Sequence, residues 1–317
     1  MSDTYFEILR PGINSSIQDK GRNHLYHIGI TISGAMDQRI FTLSNALVSN
    51  DLNEGVIEFA HQGPLLKLKN GSANFVITGN VIFNILRKNS VIEEGKCFQN
   101  YLLEHEDQID IITTKNSIFG YFAVEGGFQI KKVWDSYSVN TKAKVGPNNG
   151  KKFSSGEKIY IKNSKVKNFV KKKINYEKSL DQNIKIIKGT NFDYFSEEAK
   201  NKFFKEEFLV TNLSDRMGMR LEGPKLDNIV NTNIKSEGLV KGVVQVPADG
   251  NPIILFSDHG SIGGYPKIAV VITADHDMTA QLIPGSKIKF KEVNLDEAEE
   301  LFKSYFNETK NYIEQIK

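Results

Sequence analysis

Short apolar runs recur along the chain at Phe6 to Leu9, Val56 to Phe59, Leu65 to Leu68, Ala73 to Ile77, Ile109 to Ile112, Phe119 to Val124 and Lys158 to Ile161. Gly, Asn and Asp turns separate them, a spacing that predicts antiparallel strands in barrels or sandwiches rather than alternating βαβ units. After a polar interval the pattern resumes at Ile184 to Ile187, Phe208 to Thr211, Val243 to Val246, Ile253 to Phe256, Ile268 to Thr273 and Lys287 to Phe290. Helical periodicity is confined to a few segments. Asp37 to Val48 places Ile40, Leu43, Ala46 and Leu47 on one face; Leu295 to Tyr305 opens with Asp296 and Glu297, which suit a helix N-terminus; Phe195 to Phe204 has Ser196 as its cap. The interval Ser164 to Asn183, rich in Lys and Asn, marks a domain boundary. The expectation is a mainly β protein with two β-rich, barrel-like domains over 1–165 and 184–317, the second ending in a helix.

A length of 317 residues with 39% hydrophobic positions suffices for two ordinary cores. Lys plus Arg number 41 against 38 Asp plus Glu, and a net charge of +3 is too small a field to imply nucleic acid as a partner. The basic run Lys165 to Lys173 reads as a solvated linker or edge. Cys97 is the single cysteine, which excludes an intramolecular disulfide and a cysteine-cluster metal site and fits a reducing cytoplasm. Neither a signal peptide nor a membrane span is expected. The GxxxxGK[ST], GxGxxG, GxSxG and HExxH patterns are all missing, so no nucleotide apparatus is visible in the chain itself.

Three polar blocks carry the candidate chemistry. Ser236 to Asp275 brackets a glycine-rich loop holding Asp258, Gly263, Gly264, Tyr265 and Lys267, after a turn containing Pro247 and Asp249. Glycines let backbone approach a ligand and free amides for anions, so Asp258 and Lys267 read as base and electrophile and Tyr265 as an orienting group. Pro11 to Asp37 gathers Gln18, Asp19, Arg22, His24, His27, Ser33 and Asp37 before a helix; the block reads as a site wall, with helix capping by Ser33 to Asp37 at even odds. His24 and His27 lack further spaced ligands, and no metal bound by the chain alone is expected. Asn212 to Gly223 supplies Arg216 and Arg220, suited to a carboxylate, carbamate or phosphate, while Asp215 reads better as a turn former.

These blocks, in order, resemble the KipA-like proteins, also called the allophanate hydrolase subunit 2 or biotin-dependent carboxyltransferase family. The likeness runs through PGINSSIQDKGR, SGAMD, NEGVIEFAHQGPLLKL, VITG, FAVEGG, SDRMGMRLEGP, SEGLVKGVVQVPADGNPIIL, GGYPKIAVVITAD and AQLIPGSKIKF. It implies a cyclophilin-like barrel in the C-terminal half, a KipI-like partner, and, as in the family's 5-oxoprolinase members, a LamB/YcsF-like third subunit. The implied activity is ATP-dependent opening of 5-oxoproline, with the ATP site shared with or carried by a partner subunit. The alternatives are the carboxyltransferase component of a biotin-dependent urea-type carboxylase and a non-catalytic regulator of a KipI-like kinase inhibitor. The family's polar positions fall on Gln18, Asp19, Arg22, Asp37, Arg216, Arg220, Gln245, Pro247, Asp249, Asp258, Gly263, Gly264 and Tyr265. His259, Gly260 and Ser261 stand where the family carries Arg, Gln and Thr, Ile262 replaces a second Thr, and 148–159 lacks a Gly-Arg pair.

Overall fold

The computed structural model describes residues 3–162, 166, 168–177, 181–230 and 233–316. It divides into two compact units: Met1–Arg22, Ser33–Glu177 and Thr309–Lys317 form the first, Asn23–Ile32 and Lys178–Glu308 the second. Of the polar interval expected to mark the boundary, residues 164, 165, 167 and 178–180 lie outside the described residues. Residues 170–174 run along a sheet edge, where the Asn100 amide donates to the Lys172 carbonyl (3.0 Å) and the Ile174 amide to Phe98 (3.0 Å).

The first unit is a pair of sheets around one core. A six-stranded sheet runs in the order Lys158–Tyr160, Tyr5–Arg10, Leu65–Lys69, Gln108–Thr114, Val81–Leu86 and Ile92–Glu94. A five-stranded sheet runs Ser16–Gln18, Val56–Ala60, Phe119–Val124, Ser72–Thr78 and Asn100–Glu104. Alternation in Tyr5–Arg10 turns Phe6 and Ile8 inward, opposite Leu68 and Leu66. They meet Ile57, Phe59, Phe75, Ile77 and Phe122 of the other sheet in a single cluster, with Phe6 edge-on to Phe122 at 5.4 Å. Burying each such ring is worth roughly 2–3 kcal/mol. Phe119–Val124 does not alternate because it is covered on both faces. The helix Gln38–Leu47 lies against its outer side, where Phe41 contacts the Tyr121 ring and the Ile40 carbonyl accepts from Thr78 Oγ1 (2.9 Å). Asp37 caps that helix, accepting from the Ile40 amide at 3.2 Å.

The second unit is a closed barrel of Asn183–Lys188, Lys267–Val271, Val243–Gln245, Ile253–Leu255, Gly218–Glu222, Phe208–Val210 and Lys287–Glu292. All pairs are antiparallel except the closing one between Asn183–Lys188 and Lys287–Glu292. Met219, Ile254, Val244 and Ala269 lie opposite one another and fill the interior, each at most 1% exposed. Outward-facing Val243 and Leu255 are sheltered under Leu239, which puts the 237–242 segment against the barrel wall. Ser196 caps the helix Glu197–Lys205 as expected, and Phe203 of that helix stacks on Phe290 at 4.3 Å. The mainly β expectation and the C-terminal barrel therefore hold. The last helix runs beyond the expected end at Tyr305, over Leu295–Glu314, with none of its residues buried. Among the described residues no helix is long and apolar enough to cross a membrane.

Candidate functional site

In the second unit the segment following Ile253–Leu255 pairs with the turn before Gly218–Glu222: the Phe256 amide donates to the Met217 carbonyl and the Asp258 amide to that of Arg216, both at 2.9 Å. This backbone frame sets two side chains face to face. Arg216 Nε donates to Asp258 Oδ2 at 2.8 Å and Nη2 to Oδ1 at 3.1 Å, with the side chains 12% and 2% exposed. Such a two-point grip fixes the plane of the guanidinium as well as its position. Asp215 shapes the turn itself, accepting from the Met217 amide at 2.8 Å, as expected of a turn former.

His259 follows directly and is 3% exposed. Its Nδ1 lies 2.6 Å from the Gly260 carbonyl and its Nε2 3.3 Å from the Tyr26 hydroxyl. Burial holds the imidazole below its ordinary pKa against the Gly260 contact and the Asp258 charge, which act the other way. Tyr26 comes from the 23–32 segment, which belongs to this unit although the chain on either side belongs to the other. Arg216, Asp258, His259 and Tyr26 thus form one corner. The sequence pointed to the first two. His259 and Tyr26 had a single available signal, the departure at 259 from the family's Arg.

The other expected residues of this unit fall elsewhere. Arg220, Ile253, Gln245 and Lys267 share one row across four strands. Arg220 is exposed on the outer side of Gly218–Glu222, whereas Arg216 lies in the turn before that strand. The glycine-rich loop returns to that row. Gly263 packs so closely that a Cβ there would lie 2.8 Å from Leu239 and 3.0 Å from Gln245 Nε2, and Gly264 has the Ile234 carbonyl 2.9 Å from such a position. Close packing accounts for both glycines. Gln245 Nε2 donates to the Tyr265 carbonyl (3.3 Å), the Tyr265 ring is exposed, and buried Lys267 is ion-paired to Glu237. Asp249 accepts from the Asn251 amide (3.1 Å) and side chain (3.0 Å) in its turn. The loop thus joins two separate groups of residues.

In the first unit Gln18, Asp19, Arg22 and Asp37 come together and are at most 2% exposed. Asp19 accepts from the Gly21 amide (2.8 Å), Ser136 Oγ (2.7 Å), Ser138 Oγ and the Tyr137 amide (2.7 Å). Arg22 donates to the Ser138 carbonyl and Gln18 Nε2 to the Val139 carbonyl (2.9 Å). Together they clamp the 136–139 segment. Gly34, at φ 87°, permits the close approach that lets the Ala35 amide donate to the Asp19 carbonyl (2.8 Å), since a Cβ there would lie 2.8 Å from the Lys20 carbonyl. Beside them Tyr121 donates to Glu58 Oε2 (2.8 Å) and accepts from the Asp37 amide (2.8 Å). Burial first, then the charges of Glu58 and Asp37, pushes that phenol far above its ordinary pKa. Glu58, a charge inside the apolar run VIEFA, was the readable sign of this network; Ser136 and Ser138 gave none. His24 and His27 are exposed.

The family described as carboxyltransferase domain, subdomain A and B, matches residues 28–292. The chain belongs to that family. It is 31% identical over 312 residues to the C subunit of 5-oxoprolinase from Haemophilus influenzae, covering 98% of this chain and 97% of the relative. Urea amidolyase of Saccharomyces cerevisiae is 28% identical over 95% of this chain, which spans 17% of that protein. The solved K. lactis urea amidolyase superposes with a TM-score of 0.87 at 24% identity over 98% of this chain, which spans 20% of the solved one. The family resemblance and the barrel fold read from the sequence are thereby shown. Residues 18–26, with Gln18, Asp19, Arg22 and Tyr26, precede the matched range.

Proposed function

We propose that this protein is the C-type subunit of an ATP-dependent 5-oxoprolinase, opening the cyclic amide of 5-oxo-L-proline to L-glutamate together with KipI-like and LamB/YcsF-like subunits in the cytoplasm. The observation that carries this reading is the likeness to the oxoprolinase C subunit, 31% identical over 98% of this chain, against 28% for the amidolyase over 95%.

A cyclic amide is a poor electrophile, so ring opening needs the carbonyl activated and the substrate held still. The Arg216 corner supplies the holding: a guanidinium oriented by Asp258 attracts the substrate's carboxylate, with the polar His259–Tyr26 pair beside it. Asp258, gripped at both oxygens, acts here by orienting Arg216 and not as a free base. ATP is a co-substrate. The charged groups of the glycine-rich loop do not fit a phosphate cradle, because Lys267 is paired to Glu237 and Asp258 to Arg216, so ATP is assigned to a partner subunit. The test is ATP-dependent glutamate release by the reconstituted complex with and without this chain. Release that does not depend on the chain ends the proposal.

The carboxyltransferase family match and the superposition on urea amidolyase favour a second reading, carboxyl transfer from carboxybiotin on another chain to a urea-like nitrogen. A biotinylated protein co-purifying with this chain, and carboxylation of urea by the pair, select that reading over the first.

A further inference from the structure

The geometry points to the Tyr26 hydroxyl as a fixed hydrogen-bond acceptor that selects a substrate presenting an N–H, with His259 as the residue that positions its proton. Gly260 sets the tautomer of His259. A carbonyl oxygen only accepts, so the 2.6 Å contact with His259 Nδ1 requires the proton to sit on Nδ1. In the neutral ring Nε2 is then an acceptor, and the only donor available in its 3.3 Å contact with Tyr26 is the phenol O–H. Both groups keep the protonation this requires, since burial holds the Tyr26 phenol above its usual pKa and the His259 imidazole below its own. With its one proton committed to His259, the Tyr26 oxygen has only lone pairs to offer. Tyr26 is half-buried on a short turn, Tyr26–Ile28, none of whose residues is buried, so that oxygen sits at the edge of the corner and not within a core.

This inference rests on the cyclic-amide reading above: next to the Arg216 charge, the ring N–H of 5-oxoproline is the donor that an acceptor-only oxygen distinguishes. A ring with CH2 at that position leaves the Tyr26 oxygen without a partner. One hydrogen bond of this kind corresponds to about tenfold in affinity.

The probe is 3-oxocyclopentane-1-carboxylate, in which CH2 replaces the ring N–H. Its Kd and that of 5-oxoproline are measured on the assembled complex of all three subunits without ATP, and ring opening is measured with ATP. The wild-type complex is expected to prefer 5-oxoproline by about tenfold. Tyr26→Phe brings the ratio close to one; His259→Leu, in which the hydroxyl keeps its lone pairs but loses its fixed orientation, narrows the ratio, while His259→Gln, whose amide oxygen still accepts from Tyr26, retains the full preference. A merely structural role for His259 does not separate those two variants. A ratio unchanged in Tyr26→Phe, or no measurable binding of either compound, overturns the acceptor assignment. A wild-type complex that binds but opens no ring overturns the oxoprolinase reading instead.

Discussion

Both units bring an Asp and an Arg out of glycine-punctuated sequence, and they use them in different ways. Asp19 is wholly buried, and its oxygens are taken up by two serine hydroxyls and two backbone amides of its own unit; Arg22 donates into the same 136–139 segment. Asp258 spends both oxygens on one guanidinium, on a turn whose neighbours Asp215 and Met217 are exposed. The first arrangement uses charge as architecture, fastening a loop that has no regular strand to hold it. The second uses one charge to aim another. Residue type and local density are therefore poor guides to chemistry until the donors and acceptors around each group are accounted for.

The comparison predicts its largest effect at Asp19. Asp19→Ala strands four donors at once, two of them on fully buried serines, and is expected to cost about 3–5 kcal/mol in the urea unfolding of the first unit; a loss below about 1 kcal/mol means the clamp is not what orders 136–139. Next, Arg216→Ala leaves Asp258 buried without its cation, costing about 3 kcal/mol, and lowers ring opening by the complex at least about a hundredfold. The joint replacement Arg216→Met with Asp258→Leu sharpens the contrast. It is expected to recover most of the stability and none of the activity, since a buried ion pair exchanged for apolar groups is often neutral. Recovery of activity removes the pair from the site. Arg220→Ala, on the outer face, is expected to stay within about threefold of wild type in the same assay.

Much of the scaffold was legible because its signals are local. The period of two in Tyr5–Arg10, the continuous run of Phe119–Val124 and the caps Asp37 and Ser196 each act over a few residues, and each is present in the fold. The last helix was read too short although its apolar spacing continues through Phe306, Tyr312 and Ile313, and Lys310 pairs with Glu314 in the extension. The site was less legible. Arg216 and Arg220 look like a pair in sequence, but Arg216 lies in the turn before the strand and alternation turns Arg220 outward. Tyr26 and His259 are 233 positions apart, and only the path of the 23–32 segment into the second unit brings them into contact.

Smaller effects test whether the second unit also contains polar architecture. His276 packs against Gly242, its Nε2 donating to the Val271 carbonyl at 3.1 Å, and burial pulls its pKa down to about 3. Because the unfolded chain takes up that proton near pH 6.5 and the folded one does not, this site's contribution to stability is present above pH 6.5 and is lost progressively as pH falls towards 3. The loss is expected to reach about 2 kcal/mol by pH 5. His276→Gln should flatten that part of the stability profile, and an unchanged slope assigns the acid sensitivity to other groups.

The smallest expected effect on stability is at the glycine-rich loop, and it bears most directly on the division between architecture and chemistry. Gly263→Ala places a methyl 2.8 Å from Leu239 and 3.0 Å from Gln245 Nε2. Leu239 is 4% exposed and holds the apolar cover of the barrel wall, so it has little room to yield. Overpacking of this kind costs about 1–2 kcal/mol. If packing alone explains the glycine, the variant unfolds at lower urea while the Kd for 5-oxoproline stays unchanged. If the Kd rises tenfold with little change in unfolding, the loop's amides contact the ligand. The substrate then lies along the Gln245 row, and Arg220 regains its place as the group that holds the carboxylate.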